Sequence, residues 1–276
     1  MSKRFLPVGL LVLLVAVACG AGGSETPEQV SSGSCDTENP PLYKVDTLTV
    51  ATDSPAYPPW FEGSPENYSG FEGDVANQIA NRMTLPVTWV EEPFNTSYAP
   101  GAKDWDMALN QITITEERER DVSFSRGYFD NAQGILAREG SPAVGARSLS
   151  DLEGVRLGAQ VGTTSLTFVD REISPEREVS VYETSEEARA ALESGRIDAF
   201  VTDLATTVYL RDFEVEDSVV VGQYPANEQF GIVFQRDNEL VGCVNQILAE
   251  MEEDGTLENL RNEYLQRYLD VPELEG

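Results

Sequence analysis

Hydrophobic positions along this chain switch between a period of two and a period near 3.6, and each switch marks a new element. TLTVATD (47–53) reads as a strand, and GDVANQIANRM (73–83) follows with Val75, Ala76, Ile79, Ala80 and Met83 at helical spacing. PVTWV (86–90) and DMALNQITI (106–114) read as further strands, the latter with Leu109, Gln111 and Thr113 on one face. A second series opens with the short helix SLSDLEG, closed by Gly154. It continues as strand VRLGAQ, helix TTSLTFVDREI, strand EVSVYE, helix SEEARAALESG with a stop at Gly195, strand IDAFVT, helix LATTVYLRD and strand SVVVGQ. QFGIVFQ (229–235) is a strand and ELVGCVNQILAEMEEDG a helix. In the final helix, TLENLRNEYLQRYL, the residues Leu257, Leu260, Tyr264 and Leu265 form an apolar stripe. Alternating β and α units predict an α/β fold of open, mostly parallel sheets with helices on both faces, and two such series predict two lobes.

The first residues follow a different logic. Lys3 and Arg4 precede the apolar run Phe5 to Ala18, which is too short for a spanning helix of about 20 residues. Small residues before Cys19 fit a cleaved leader over 1–18, with Cys19 the lipidated first residue of the mature chain; an ordinary signal peptide or an uncleaved anchor is the alternative. Acyl chains anchor a protein without spanning the membrane. Residues 19–42 are rich in Gly, Ser, Glu and Pro and read as a flexible tether with a root-mean-square reach of roughly 25 Å. The expected location is the outer face of the cell membrane.

Charge and cysteine usage narrow the chemistry. The chain has 48 acidic residues against 19 basic ones, no histidine, and a net charge of −29. A surface this negative repels nucleic acid and anionic headgroups. Without histidine, a Ser-His-Asp or Cys-His catalytic apparatus is excluded, and with no clustered cysteines no metal site is expected. Nor is a cofactor expected. Outside the cytoplasm Cys35 and Cys243 could pair, tying the start of the mature chain to a late helix; two unpaired thiols are the alternative.

In open α/β sheets, ligands bind beyond the carboxyl ends of strands, and several candidates sit there. Asp53 ends the first strand, as either a turn aspartate or a ligand contact, before a proline-rich turn that presents Tyr57 and Trp60. Phe94 follows the strand at 86–90, either as a core hydrophobe or as a second aromatic wall. Gly162 permits a tight turn into a helix whose Thr163, Thr164 and Ser165 N–H groups form either a plain cap or an anion site; it is not a Walker loop, for it lacks the lysine. Asp203 is either an N-cap or the counter-ion of an ammonium group. Arg118 lies in NQITITEERERD (110–121), among acids that suit a solvated helix start. Taken together, one arginine, one helix start, carboxylates and aromatics match the needs of a free α-amino acid. Its carboxylate asks for a bidentate guanidinium and backbone donors, and its ammonium asks for a carboxylate.

Seven segments, LTVATDSPAYPPW, GFEGDVANQIANRM, ITITEERERDVSFSRGYF, SLSDLEGVRLGAQVGTTS, ALESGRIDAFVTD, FGIVFQRDNEL and DGTLENLRNEYL, occur in an order that resembles the family 3 solute-binding proteins of bacterial ABC importers, the binders of polar and cationic amino acids. The resemblance runs from about Leu48 to Leu269. It implies a two-lobed periplasmic-binding-protein-like fold of type II, with lobe 1 at 43–131 plus 230–270, lobe 2 at 132–229 and a tail at 271–276. The two hinge crossings would lie near Tyr128–Ala132 and Asn227–Phe230. It implies that Arg118 grips the ligand α-carboxylate with Thr113, and that Thr163 and Thr164 add donors from the second lobe. Asp203 would hold the α-ammonium, and Asp53, Tyr57 and Phe94 would read the side chain. Gln111 stands where the family has a glycine, and Gln160 where it often has a lysine. The implied protein is a monomeric, non-enzymatic lipoprotein that delivers its ligand to importer permease subunits. The alternatives are a ligand-presenting sensor module and a dehydratase-type enzyme on the same scaffold.

Overall fold

The computed structural model describes residues 40–276. The leader at 1–18, Cys19, Cys35 and the tether up to residue 39 lie outside the described residues.

The strands in chain order are β1 (Leu48–Thr52), β2 (Val87–Glu91), β3 (Met107–Ala108), β4 (Val122–Phe124), β5 (Phe129–Arg138), β6 (Leu157–Gln160), β7 (Ser180–Tyr182), β8 (Ala199–Asp203), β9 (Ser218–Phe230) and β10 (Val233–Gln235). The α-helices are α1 (Phe71–Arg82), α2 (Phe94–Ser97), α3 (Thr164–Phe168), α4 (Ser185–Glu193), α5 (Leu204–Tyr209), α6 (Leu240–Glu253) and α7 (Thr256–Leu260). They build two five-stranded sheets, ordered β2-β1-β3-β10-β4 and β7-β6-β8-β5-β9. Each sheet is mixed. The parallel part is β2-β1-β3 in one and β7-β6-β8 in the other, while β10 runs against β3 and β4, and β5 against β8 and β9. The chain passes between the sheets from β4 to β5 and returns from β9 to β10, where the hinge crossings are expected.

Local sequence explains the elements. Every residue of β1 is buried, as a strand covered on both faces requires. Helix α1 buries Phe71, Val75, Ala76, Ile79 and Ala80, the periodic positions, and α6 buries Leu240, Cys243, Val244, Ile247, Leu248 and Met251. Cys243 is disulfide-bonded. Thr184 caps α4 by accepting the Glu187 N–H, and Ser148 and Asp151 close a capping box on the short turn Leu149–Leu152. At the hinge, Phe129 opens β5 directly opposite Phe230, which ends β9. Their rings lie 5.6 Å apart and meet Trp60 at 5.4 and 5.5 Å, so an aromatic cluster fixes the base of the cleft.

Three expectations need correction. The strand read over 106–114 stops after Ala108, and Gln111 turns the chain through a left-handed backbone (φ 50°). Leu109, Gln111 and Thr113 therefore do not share a strand face; Thr113 instead makes an isolated bridge to Phe230. SVVVGQ and the start of QFGIVFQ are one strand, β9, bent by a register shift opposite Asn131/Ala132, where Asn227 has φ 52°. The six residues 271–276 are not a free tail. Glu273 bridges to Gln223 and Glu275 to Ser148, and Leu274 is buried in the core of the second sheet.

Among the described residues, no helix is long and apolar enough to cross a membrane, and no group of three or more His, Cys, Asp or Glu could hold a metal ion.

Candidate functional site

The carboxyl ends of β1, β6 and β8 and the loops after β2 and β3 converge on one cavity of about 220 Å³, which lies between the two sheets. Arg118, Asp53, Tyr57, Phe94, Gln111 and Thr113 line it from the first sheet's side; Gln160, Thr163, Thr164 and Asp203 line it from the second. All ten residues singled out from the sequence therefore meet in one place.

Arg118 begins a short turn, with its N–H donated to Thr115 Oγ1 at 3.2 Å. Its side chain is only 7% exposed, so the solvated-helix alternative fails. Nη1 donates to the Thr113 carbonyl at 2.7 Å, and Nη2 donates to the Gly162 carbonyl at 2.9 Å, across the cleft. The guanidinium stacks on Tyr98 with 4.3 Å to the ring centre and lies 5.5 Å from that of Phe94. Burial pulls its pKa down, while Tyr98, Glu228 and Asp203 oppose that shift.

Asp203 occupies the N-cap position of α5 but makes no capping bond with its side chain. Its Oδ1 instead accepts from Asn131 Nδ2 at 2.7 Å. Burial first, and then the Glu228 charge, push its carboxyl up to about 8. A different helix, α3, is capped by Thr163, whose hydroxyl accepts the Leu166 N–H at 3.1 Å and donates to the Gln160 carbonyl at 2.7 Å. A helix cannot satisfy its own first-turn N–H groups, and α3 borders the cavity there, through Thr164 and Ser165.

Around Asp53 and Gln160 the cavity is polar on both walls. Asp53 accepts from the Ser54 N–H at 2.8 Å and the Phe94 N–H at 3.3 Å. Gln160 is pinned, donating to the Glu183 carbonyl at 3.3 Å and accepting from Ser185 Oγ at 2.7 Å. Tyr57 is 40% exposed, so it sits at the mouth, whereas the Phe94 ring meets Tyr98 edge-on at 5.4 Å. Gln111 turns its amide away from the cavity to Glu72, which also accepts the Gln111 N–H at 2.8 Å and the Tyr128 hydroxyl. Burial raises the Glu72 carboxyl to about 7. A buried acid from α1 thus holds both the backbone N–H and the side-chain amide of Gln111.

Glu186 and Glu228 were not foreseen, and Trp60, presented by its turn as expected, makes an unforeseen contact. Trp60 lines the cavity and donates Nε1 to Thr206 Oγ1 at 2.9 Å, across the cleft; the proline-rich turn signalled its presentation but not its partner. Glu186, at the start of α4, adds a second acid to the lining from the second sheet's side, while Asp53 lies on the first. Glu228 accepts at Oε2 from Gln133 Nε2 (2.9 Å), Thr164 Oγ1 (3.0 Å), Asn131 Nδ2 (3.2 Å) and Thr113 Oγ1 (3.4 Å). The cross-strand pairs Asn131–Glu228 and Gln133–Asp203 place these four side chains together, and only the strand register shows it.

Residues 48–267 match the family model of bacterial extracellular solute-binding proteins, family 3. Among curated relatives, the L-cystine-binding protein TcyJ of Escherichia coli K12 is 27% identical over 221 residues, covering 79% of this chain and 82% of that protein. The L-arginine-binding protein of Pseudomonas aeruginosa PAO1 is 28% identical over 235 residues, covering 78% and 90%. Among solved structures, an ancestral arginine-binding protein bound to glutamine superposes with a TM-score of 0.71 at 31% identity, covering 80% of this chain and 99% of that one.

Proposed function

The chain belongs to family 3 of the bacterial extracellular solute-binding proteins, and from that premise we propose that it captures a free L-amino acid with a polar or cationic side chain and delivers it to an ABC importer. The observation that carries this reading is the buried Arg118 guanidinium, which faces the same cavity as Asp203, Asp53 and Glu186. A zwitterion places its carboxylate on Arg118, Thr113 and the first turn of α3, and its ammonium on Asp203. A guanidinium or carboxylate in a closed, water-poor cleft interacts far more strongly than on the surface. Asp53 and Glu186 favour donors on the ligand side chain. Relatives named for cystine and arginine, and a structure with glutamine, are consistent with this range. The cleft is read as a binding site rather than an active site, because Arg118 and Asp203 match the two charged ends of a whole amino acid.

In this reading, lobe 1 (43–131 plus 230–270) and lobe 2 (132–229) close on the ligand, and the closed form docks on the permease. The ligand shifts the equilibrium only by its differential affinity for that form. The protein acts as a monomer held to the outer membrane face through lipid on Cys19.

The test is a thermal-shift and calorimetric screen against the common amino acids, after unfolding and refolding to strip any bound ligand. One or a few polar or cationic amino acids are expected to raise the melting temperature. A flat response to all of them overturns the reading, as would turnover of prephenate or arogenate.

Closure also makes a prediction at Gly162. It sits at φ 72°, and a Cβ there would lie 2.6 Å from both Asn95 Oδ1 and Tyr98 OH, on the facing lobe. Gly162→Ala is expected to weaken amino-acid affinity by about tenfold or more. The positive φ alone costs on the order of 1 kcal/mol of stability, so the variant stays folded. Calorimetry beside a melting curve separates the two effects.

A further inference from the structure

The cleft satisfies its own carboxylate-binding groups. Both η nitrogens of Arg118 are placed on backbone carbonyls, and the hydroxyls of Thr113 and Thr164 converge on a single oxygen of Glu228, at 3.4 and 3.0 Å. Those hydroxyls come from opposite sides of the cleft, and each has one hydrogen to give. When both hydrogens go to Glu228, the two hydroxyl oxygens, themselves 3.4 Å apart, are left as acceptors, which suits an ammonium and not a carboxylate. Glu228 has other support: Asn131 and Gln133 also donate to it, and the amide oxygens of both, buried at 5% and 0% exposure, have no partner among the described residues. This end of the site is rich in acceptors, and its anion is built in.

We propose that Glu228 is a positioning residue that competes with the ligand's α-carboxylate: it holds the Thr113 and Thr164 hydroxyls, which the carboxylate also needs. It tunes affinity through the two threonines. The proposal rests on the amino-acid reading above. The other charged groups near it are Asp203 at the end of β8, which shares Asn131 with it, and Arg118 on the facing side.

The test crosses a protein change with a ligand change. L-arginine, L-glutamine and L-cystine are each compared with their α-amides in the native protein and in Glu228→Gln, by calorimetry. Each amide keeps the ammonium and the side chain, so any effect of Glu228 on Asp203 cancels in the ratio of amide to acid dissociation constants. Removing an internal competitor favours the acid alone, and the ratio is expected to rise on the order of tenfold, as for loss of one charge-assisted contact. A merely structural role would weaken acid and amide together and leave the ratio unchanged, and that result overturns the proposal, as does a fall in the ratio. If Glu228→Gln does not fold, Glu228→Ala at this half-buried position serves in its place and should raise the ratio in the same direction. Failure of the native protein to bind any of the three amino acids would instead count against the amino-acid reading itself.

Discussion

Replacing Arg118 by alanine is expected to abolish amino-acid binding while leaving the protein folded. Removing one partner of a buried, hydrogen-bonded charge pair costs about 3–5 kcal/mol, a loss of a few hundred- to a few thousand-fold in affinity. The scaffold tolerates the change because Arg118 borders the cavity and contributes to neither sheet. The groups it leaves behind, the Thr113 and Gly162 carbonyls, face the cleft, where water can replace the guanidinium. Stacking on Tyr98 at 4.3 Å and the two-pronged grip on carbonyls are properties of a planar fork, so Arg118→Lys should recover little. Isothermal titration of the ligand found in the screen, with circular dichroism as the fold check, decides the matter. Native-like affinity in the alanine variant would remove Arg118 from the carboxylate site and with it the zwitterion orientation.

Legibility in the sequence tracked the range of the determining contacts. Helix α4 was readable because its cap, Thr184, and its apolar positions Ala188, Ala191 and Leu192 lie within one short segment. Strand ends were readable for the same reason, and they placed Asp53, Gln160 and Asp203 at the cleft. Gln111 defeated the periodic reading, since its left-handed backbone is supported by Glu72, 39 residues away. Glu228 was missed because an acid within PANEQF looks like a solvated loop residue. Its importance depends on a strand register set by residues near 131. Leu274 was missed too, since the polar run around it gives no hint that Gly222 and the edge of β9 offer it a seat. The split between Thr163 as cap and Thr164 as cleft residue likewise required coordinates, because neighbouring hydroxyls of one type cannot be told apart by pattern.

Asp203 should make ligand capture and fold stability respond to pH in opposite directions. Its carboxyl is pushed up to about 8 from an ordinary value of 3.8, chiefly by burial and secondly by Glu228. An ammonium requires the ionised form, so capture near pH 7 releases a proton from Asp203. That contribution to affinity is complete above about pH 8 and falls toward tenfold per unit as the pH drops below it. Stability runs the other way. A carboxyl whose folded pKa is raised contributes stability that is fully present below its unfolded pKa, near 4, and is lost as the pH rises through about 8. Glu72, raised to about 7, adds a loss of the same sign. Asp203→Asn removes that titrating group from both observables. Its affinity at pH 8 should be about a hundredfold lower, as expected for losing a buried charge-assisted contact. Relative to the native protein, its affinity profile between pH 5.5 and 8 should lack the dependence of one proton, and its ligand-free melting temperature should fall less across the same range. Calorimetry in buffers of differing ionisation enthalpy counts the released proton directly. If the native and Asn profiles run parallel in both measurements, Asp203 does not carry the ammonium, and the acceptor for that group must be sought at Glu228.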